Sequence, residues 1–142
     1  MKLKNIKIAT ILPYKENYTH SKASAASLWV SEFFKKSQFR YNNYIFGSTL
    51  DNDYLGRNYI NIELKNIKSK FKSTTREYLD KLFKKIDKKS FDIVEVHNRP
   101  LILEHLLKNI KSRFIFYFHN DPLSMNGSKS EKQRLNILKN VE

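Results

Sequence analysis

Short apolar runs recur along the chain, and amphipathic segments separate most of them. Apolar or β-branched runs bounded by turn residues are typical of strands, whereas apolar residues three and four positions apart are typical of helices packed on one side. The runs predict five strands: Asn5–Leu12, Tyr41–Phe46, Tyr59–Leu64, Phe91–Val96 and Arg113–Phe118. We expect the third at a sheet edge and the fifth, which is apolar after Arg113, to be buried on both faces.

Four amphipathic segments predict helices, the first running from about Ala23 to Lys36. The expected inner positions are Ala26, Val30 and Phe33 in the first; Leu79, Leu82, Phe83 and Ile86 in the second; Leu103, Leu106, Leu107 and Ile110 in the third; and Leu135 and Leu138 in the fourth.

Helix ends are marked by capping and charge. Thr74-Thr75-Arg76-Glu77 and Ser128-Lys129-Ser130-Glu131 match the capping box, in which a hydroxyl and a glutamate satisfy free backbone N–H groups. Pro100 suits the first position of the third helix, and Lys88-Lys89 suits the negative end of the second.

The resulting order is β-α-β-β-α-β-α-β-α. Strands alternating with helices predict an α/β fold that is Rossmann-like, with a mostly parallel open sheet and helices on both faces. The 142 residues are the length of one domain, so we expect a single Rossmann-like domain over residues 1–142.

Two of the predicted strands end in nearly the same four residues. One ends at His97-Asn98-Arg99-Pro100 and the other at His119-Asn120-Asp121-Pro122. Parallel strands end at one edge of a sheet, and ligands bind at that carboxyl edge. His119 could orient a hydroxyl group there, with Asp121 accepting its hydrogen bond. Alternatively, Asn120 and Asp121 form a turn before Pro122 and His119 is a half-buried structural residue.

Arg99 and the loop after the first strand are further candidates. Arg99 offers a planar fork for phosphate or carboxylate, or it is a solvated helix-start residue. The small residues of His20–Ser27 would let a ligand approach a helix N-terminus, but this loop contains no glycine fingerprint. The alternative there is Ser21 as an N-cap with alanines packed on the sheet. His105, on the helix after Pro100, is expected to be a surface or packing residue.

The chain carries a formal net charge of +13. One interpretation of this charge is an anionic partner, which could be nucleic acid, an anionic membrane surface or a phosphorylated substrate. Lysines that solvate outer helix faces are the preferred reading, because the lysines are scattered and no nucleic-acid motif accompanies them; a nucleic-acid partner is therefore not expected. Examples are Lys68, Lys70, Lys72, Lys84, Lys85, Lys88 and Lys89.

Composition narrows the chemistry and the location. Without cysteine there is no disulfide, thiolate nucleophile or cysteine zinc site. The start lacks a signal-peptide pattern, and no apolar run approaches the roughly 20 residues of a membrane span, so we expect a cytoplasmic protein. Asp51-Asn52-Asp53 is explained by turn chemistry, and a metal site of His97, His119 and Asp121 is conceivable but not expected.

The chain resembles the N-terminal domain of GT-B glycosyltransferases of the family 4 (group 1) type. The similar stretches are IATILPYKENYTHSKASAASLWVSEF, FDIVEVHNRP and FIFYFHNDPLSMNGSKSEKQRLNIL. The resemblance implies an acceptor-side half of a two-domain enzyme that transfers a sugar from a nucleotide-sugar with retention and needs neither cofactor nor metal. Related sequences carry a glycine where this chain has Ser24.

The resemblance also implies roles for individual residues. His119 and Asp121 would be catalytic; the acceptor would be bound by His97, Asn98, Arg99 and Asn120; and the donor phosphates would face Lys22, Ala23, Ser24 and Ala25.

The implied partners are a nucleotide-sugar, a glycan or lipid-linked acceptor, and a C-terminal nucleotide-sugar domain. On this reading the domain is incomplete at its C-terminus, is inactive alone and lies peripherally at the inner membrane face. The alternatives are a half-enzyme that needs a separate partner, or a stand-alone, non-catalytic Rossmann-like module that binds an anionic ligand, a membrane surface or nucleic acid.

Overall fold

A five-stranded parallel sheet with the strand order β3-β2-β1-β4-β5 forms the centre of the protein. The structure, a computed structural model, describes residues 5–14, 16–64, 73–86 and 90–142. Its elements are β1 (Ile8–Ile11), α1 (Ala25–Lys36), β2 (Asn43–Gly47), β3 (Tyr59–Asn61), α2 (Thr74–Ile86), β4 (Ile93–His97), α3 (Pro100–Asn109), β5 (Arg113–Tyr117), a 3₁₀ turn (Pro122–Ser124) and α4 (Glu131–Asn140). The predicted α/β, Rossmann-like class and element order are confirmed.

Helices cover both faces of the sheet, as predicted. Strand side chains alternate between the faces: Ala9 and Ile11 belong to the apolar cluster that includes α2, α3 and α4, while Ile8 and Leu12 belong to the cluster that includes α1. Right-handed crossovers explain this division. The chain moves one way along the sheet from β1 to β2 and the other way from β3 to β4, so α1 and α2 lie on opposite faces.

The fifth strand is not buried on both faces, contrary to the prediction. β5 lies at an edge of the sheet, and Phe114 is its single buried residue. A run of apolar letters cannot distinguish a central strand from an edge strand whose faces are covered in part. β3, at the opposite edge, confirms the expectation for the third strand.

The inner face of α1 differs from the prediction at one position. Ala26 and Val30 are buried, but Phe33 is 47% exposed, whereas Phe34 is only 6% exposed. Small residues at Ser27 and Ser31 are also buried, which turns the helix so that Phe34 faces the sheet. Phe33 instead stacks on Trp29, with ring centroids 5.2 Å apart.

The cap of α4 lies two residues later than predicted. Ser130, not Ser128, is the N-cap, and it forms a capping box with Gln133. Ser128 is buried in the preceding loop, where its hydroxyl donates to the carbonyl oxygen of Pro122. With the helix in this phase, Ile137 is buried, whereas the predicted inner residues Leu135 and Leu138 are 47% and 70% exposed.

The other two helices follow the predicted pattern more closely. Pro100 is the first residue of α3, as predicted. The inner positions of α2 and α3 are buried at Leu79, Leu82, Ile86, Leu103 and Leu106, and partly buried at Phe83, Leu107 and Ile110. α2 also buries Tyr78, whose hydroxyl donates to the Leu12 carbonyl oxygen over 2.8 Å. Lys88-Lys89, like Lys68, Lys70 and Lys72, lies outside the described residues.

The start of α2 also differs from its prediction. The helix begins at Thr74, and the hydroxyl of Ser73 accepts a hydrogen bond from the backbone N–H of Arg76. Ser73 therefore does the capping that the sequence pattern assigned to Thr74. In the part of the chain that the structure describes, no helix has the length and apolarity of a membrane span.

The cap of α2 can be tested with adjacent substitutions. We expect Ser73→Ala to lower the free energy of unfolding by about 1 kcal/mol, because an N-cap hydroxyl is lost. Thr74→Ala should change it by less than about 0.5 kcal/mol, since alanine is a good helix former at an exposed position. Urea denaturation of the two variants measures the difference, and a larger loss for Thr74→Ala would restore the cap predicted from the sequence.

Candidate functional site

The carboxyl ends of β4 and β5 bring two histidines into contact. His97 lies opposite Tyr117 in the parallel register, and His119 follows two residues later on the same face. The distance between His97 Nδ1 and His119 Nε2 is 2.7 Å. The two rings are stacked, with centroids 5.0 Å apart and planes inclined by 16°. The expectation that these strand ends meet at one edge is confirmed.

Asn98 holds the two strand ends together. Its backbone has φ 56°, a left-handed conformation that asparagine tolerates better than most residues. The side-chain oxygen accepts hydrogen bonds from the backbone N–H groups of His119 and Asn120, both over 3.2 Å. Asn98 N–H also donates to the carbonyl oxygen of Tyr117 over 2.8 Å. The amide thus fixes where the chain turns after β5, and with it the position of His119.

Trp29, on α1, forms the wall beside the histidine pair. Its ring lies 5.9 Å from that of His97, 5.3 Å from that of Tyr117 and 5.7 Å from that of His119. Sequence reasoning missed this residue. The sequence did contain a feature that could have identified it: the only tryptophan of the chain lies in the helix after the first strand, next to the predicted inner positions of that helix.

Burial keeps both imidazoles neutral near pH 7. His97 is fully buried, and burial, reinforced by the neighbouring His119, lowers the pKa of His97 to about 3. His119 is exposed, and its pKa is lowered by partial burial, an effect opposed by the charge of Glu16. In a neutral pair, one ring nitrogen donates and the other accepts. Since Nε2 of His119 is engaged with His97, Nδ1 is the nitrogen that remains for a ligand.

His97 carries an unsatisfied polar atom. Its Nε2 is buried and has no hydrogen-bond partner among the described residues. Whichever tautomer the pair adopts, this nitrogen is an unpaired donor or acceptor, which costs about 1–3 kcal/mol. Unsatisfied buried groups are rare in native proteins.

Asp121 and Asn120 have different surroundings. The carboxylate of Asp121 accepts a hydrogen bond from the backbone N–H of Leu123 over 3.0 Å and caps the 3₁₀ turn. In the described contacts, nothing joins this carboxylate to the His119 ring. Asn120 is exposed and takes part through its backbone N–H. The contacts of Asp121 are therefore those of the alternative interpretation, in which this residue forms a turn.

Arg99 lies on the other side of the same edge. It lines a cavity of about 390 Å³ together with Asn98 and Lys129, and its guanidinium carbon lies 5.5 Å from the centre of the Tyr14 ring. The predicted acceptor residues His97 and Arg99 thus belong to two adjacent groups, His97 with the predicted catalytic residue His119 and Arg99 with its cavity. Asn98 belongs to both.

The predicted donor loop is held by local contacts. Ser24 is the N-cap of α1 and accepts a hydrogen bond from Ser27 N–H over 3.1 Å, so the alternative with Ser21 in this role is wrong. Lys22 forms an exposed ion pair with Asp51 at 3.0 Å. Such a pair is weak and leaves Lys22 able to turn to a ligand. Ala23 and Ala25 flank the cap, and Ala25 begins the helix.

Asp51 and Asp53 contact the loop before α1, which is distant along the chain, whereas the sequence predicts local turn chemistry for them. Asp53 accepts hydrogen bonds from both the backbone N–H and the hydroxyl of Ser21. Among the residues that the structure describes, no three histidine, aspartate or glutamate side chains form a group that could hold a metal ion.

Glu95 is a second residue that sequence reasoning missed. It is 5% exposed in the middle of β4, and its carboxyl lies 2.9 Å from the hydroxyl of Thr10, which also lies 3.1 Å from the side-chain oxygen of Asn43. Both contacts are satisfied when protonated Glu95 donates to Thr10 and Thr10 donates to the side-chain oxygen of Asn43. Accordingly, burial raises the pKa of Glu95. A glutamate inside the apolar run IVEVH was the available signal.

Comparison with known proteins identifies no matching family model, no similar curated protein and no similar solved structure. The resemblance to GT-B glycosyltransferases therefore rests on the sequence motifs.

The buried histidine predicts a pH-dependent stability. Between about pH 6.5 and 3, His97 binds a proton in the unfolded chain but not in the folded chain, so its contribution is present above pH 6.5 and is lost on acidification. We expect the difference in unfolding free energy between wild type and His97→Gln to shrink by about 2 kcal/mol from pH 7 to pH 5. Urea titrations at both values measure it; a constant difference would contradict the buried, neutral assignment.

Asn98 can be tested with small residues. Asn98→Ala and Asn98→Gly both remove the acceptor for the backbone N–H groups of His119 and Asn120, but only glycine suits φ 56° without strain. We expect the alanine variant to be less stable than the glycine variant by about 1 kcal/mol. Thermal unfolding of both variants measures this, and equal stability would exclude the left-handed backbone at this residue.

Proposed function

We propose that this chain is the acceptor-side half of a glycosyltransferase that transfers a sugar from a nucleotide-sugar to a glycan or lipid-linked acceptor with retention. The observation that carries the proposal is the contact between His97 and His119 at the carboxyl edge of a parallel sheet, the edge at which open α/β sheets bind ligands. The resemblance of HNRP and HNDPLSM to the family 4 motifs supplies the reaction class.

His119 is the residue that meets the acceptor hydroxyl. It is exposed, it is neutral near pH 7, and its Nδ1 is the ring nitrogen left over from the pair. In the transfer, the acceptor oxygen bonds to the anomeric carbon while the bond from that carbon to the diphosphate oxygen breaks. The hydroxyl proton passes to the departing nucleoside diphosphate, and His119 holds the hydroxyl on the same face of the sugar as that leaving group, as retention requires.

The surrounding residues hold His119 and shape the acceptor side. His97 fixes the ring by hydrogen bond and stacking, and Asn98 fixes its backbone. The partly exposed ring of Trp29 offers a flat apolar surface next to His119 on which a sugar can lie. Asp121 contributes through the turn that begins the next loop.

The donor side completes the proposal. Following the resemblance, the nucleotide-sugar is held by a second domain, with its phosphates facing Lys22–Ala25, and no metal takes part. The net charge of +13 would draw the protein to the anionic lipids of the cytoplasmic membrane face, where lipid-linked acceptors are located.

A second candidate function is a non-catalytic module that binds an anionic ligand. The observation that favours it is the +13 charge together with Arg99 and Lys129 in one cavity. Such a module predicts binding that weakens steeply with salt, without release of a nucleoside diphosphate.

The test compares two histidine variants in a transfer assay. The purified chain is added to an extract of source cells that lack it, so that the extract supplies acceptor and any partner domain, with labelled UDP-, GDP- and ADP-sugars. Wild type should raise transfer, and His119→Ala should lower that increment by about 100-fold, as expected for loss of orientation. His105→Ala, at an exposed position on α3, is the matched control and should match wild type.

The outcomes separate the candidates. An increment that His119→Ala leaves unchanged, in a variant with wild-type melting temperature, would contradict the site assignment. No increment with any donor, combined with salt-sensitive binding of anions, would replace the glycosyltransferase by the binding module.

A further inference from the structure

A polar cavity opens where four loops and helix ends meet, on the side of the sheet covered by α2, α3 and α4. It measures about 390 Å³. Its polar wall is made by Tyr14, Thr75, Asn98, Arg99, Ser124, Asn126 and Lys129. The volume lies in the range of small-molecule sites, roughly 300–1,000 Å³.

The cavity carries positive charge that nothing in its wall neutralises. Arg99 and Lys129 both line it, and its described lining contains no aspartate or glutamate. No salt bridge in the described part of the chain includes either cation. Two cations without a counter-charge favour an anionic ligand.

Arg99 has a donor ready for that ligand. Its Nε is buried and has no hydrogen-bond partner among the described residues. A buried donor left unpaired costs about 1–3 kcal/mol, which an oxygen of a bound anion would recover. The guanidinium is held beside the Tyr14 ring, and its planar fork matches the geometry of phosphate oxygens.

The wall that carries Lys129 is fixed before any ligand arrives. Gly127 has φ +94°, and a side chain there would lie 3.0 Å from Cβ of Pro100, so this loop packs directly on the start of α3. Arg134 Nη1 donates to the carbonyl oxygens of Ser128 and Lys129 over 2.9 and 2.6 Å. Because the backbone of this wall is already held, ligand binding orders mainly the exposed side chain of Lys129.

We propose that this cavity binds the phosphate or diphosphate group of the acceptor. Asn98 connects the cavity to the histidine pair, because it lines the first and positions the backbone of His119 in the second. A phosphate seated against Arg99 would thus anchor an acceptor whose hydroxyl reaches His119. Phosphate binding stands on the cavity alone, whereas the identification of the ligand as the acceptor rests on the proposed function.

Binding is tested directly with pyrophosphate and inorganic phosphate on the full chain, by calorimetry and by amide chemical shifts. Arg99→Gln and Lys129→Gln should each weaken pyrophosphate binding at least 10-fold, with shifts confined to the amides around the cavity. Arg57→Gln and Lys139→Gln remove the same charge at exposed positions and should bind within about twofold of wild type. Equal weakening by all four variants would mean that pyrophosphate is attracted by the net charge of +13 and not by this cavity, and it would overturn the site.

A further variant keeps the test decisive if Arg99→Gln does not fold. Arg99→Lys keeps the charge but loses the planar fork, and should still weaken binding more than Arg57→Gln does. If Arg99→Gln does not fold, Arg99→Lys and Lys129→Gln decide the question, and wild-type affinity in both would overturn the site.

The transfer assay separates this inference from the proposed function. Acceptor from the extract is divided into an organic, lipid-linked fraction and an aqueous fraction, each with and without treatment by a pyrophosphatase and a phosphatase, which together remove bridging and terminal phosphates. Loss of transfer after treatment supports the inference, and the active fraction shows whether the phosphate belongs to a lipid carrier or to a soluble compound. Unchanged transfer after treatment would overturn the assignment of the ligand as the acceptor, but the proposed glycosyltransferase function would remain. Phosphate binding in the cavity without any transfer would support the phosphate site and contradict the glycosyltransferase function.

Discussion

The candidate site depends on one side chain, Asn98. Parallel strands place His97 and Tyr117 side by side, but nothing in the sheet ladder determines the path of the chain after β5. Asn98 determines it by adopting a left-handed backbone and accepting hydrogen bonds from the N–H groups of His119 and Asn120. The contact between the histidines and the position of the next loop both follow from this amide.

The two faces of the sheet give this edge two different sides. Among the described helices, α1 is the one that covers one face, and it contributes Trp29 beside the histidines. α2, α3 and α4 cover the other face, where loops at their N-terminal ends enclose the cavity of Arg99. The handedness of the crossovers sets this division. The side of α1 offers the neutral imidazole of His119 and the aromatic surface of Trp29, and the other side offers the cations Arg99 and Lys129. A ligand that carries both a hydroxyl and a phosphate can contact both sides.

Local signals predicted the order of elements well and their details less well. Pro100 begins α3 because its missing N–H costs little there. The hydroxyl caps came out one or two residues from their predicted positions, at Ser73 and Ser130, because several hydroxyls stand near each helix start and packing selects among them. Phe33 and Phe34 are equally apolar, and only the fit of small serines against the sheet decided that Phe34 is buried.

The sequence by itself determined the α/β class, the strand ends and the chemistry available at them, because periodicity, proline and turn residues act over a few neighbours. Only the tertiary structure decided that β5 is an edge strand, that Trp29 joins the histidines and that Glu95 is buried beside Thr10. The tertiary structure also places Arg99 at the cavity and His119 in the histidine pair, with Asn98 in contact with both. These features arise from contacts between residues far apart in the chain, which depend on strand order and crossover handedness rather than on any local pattern.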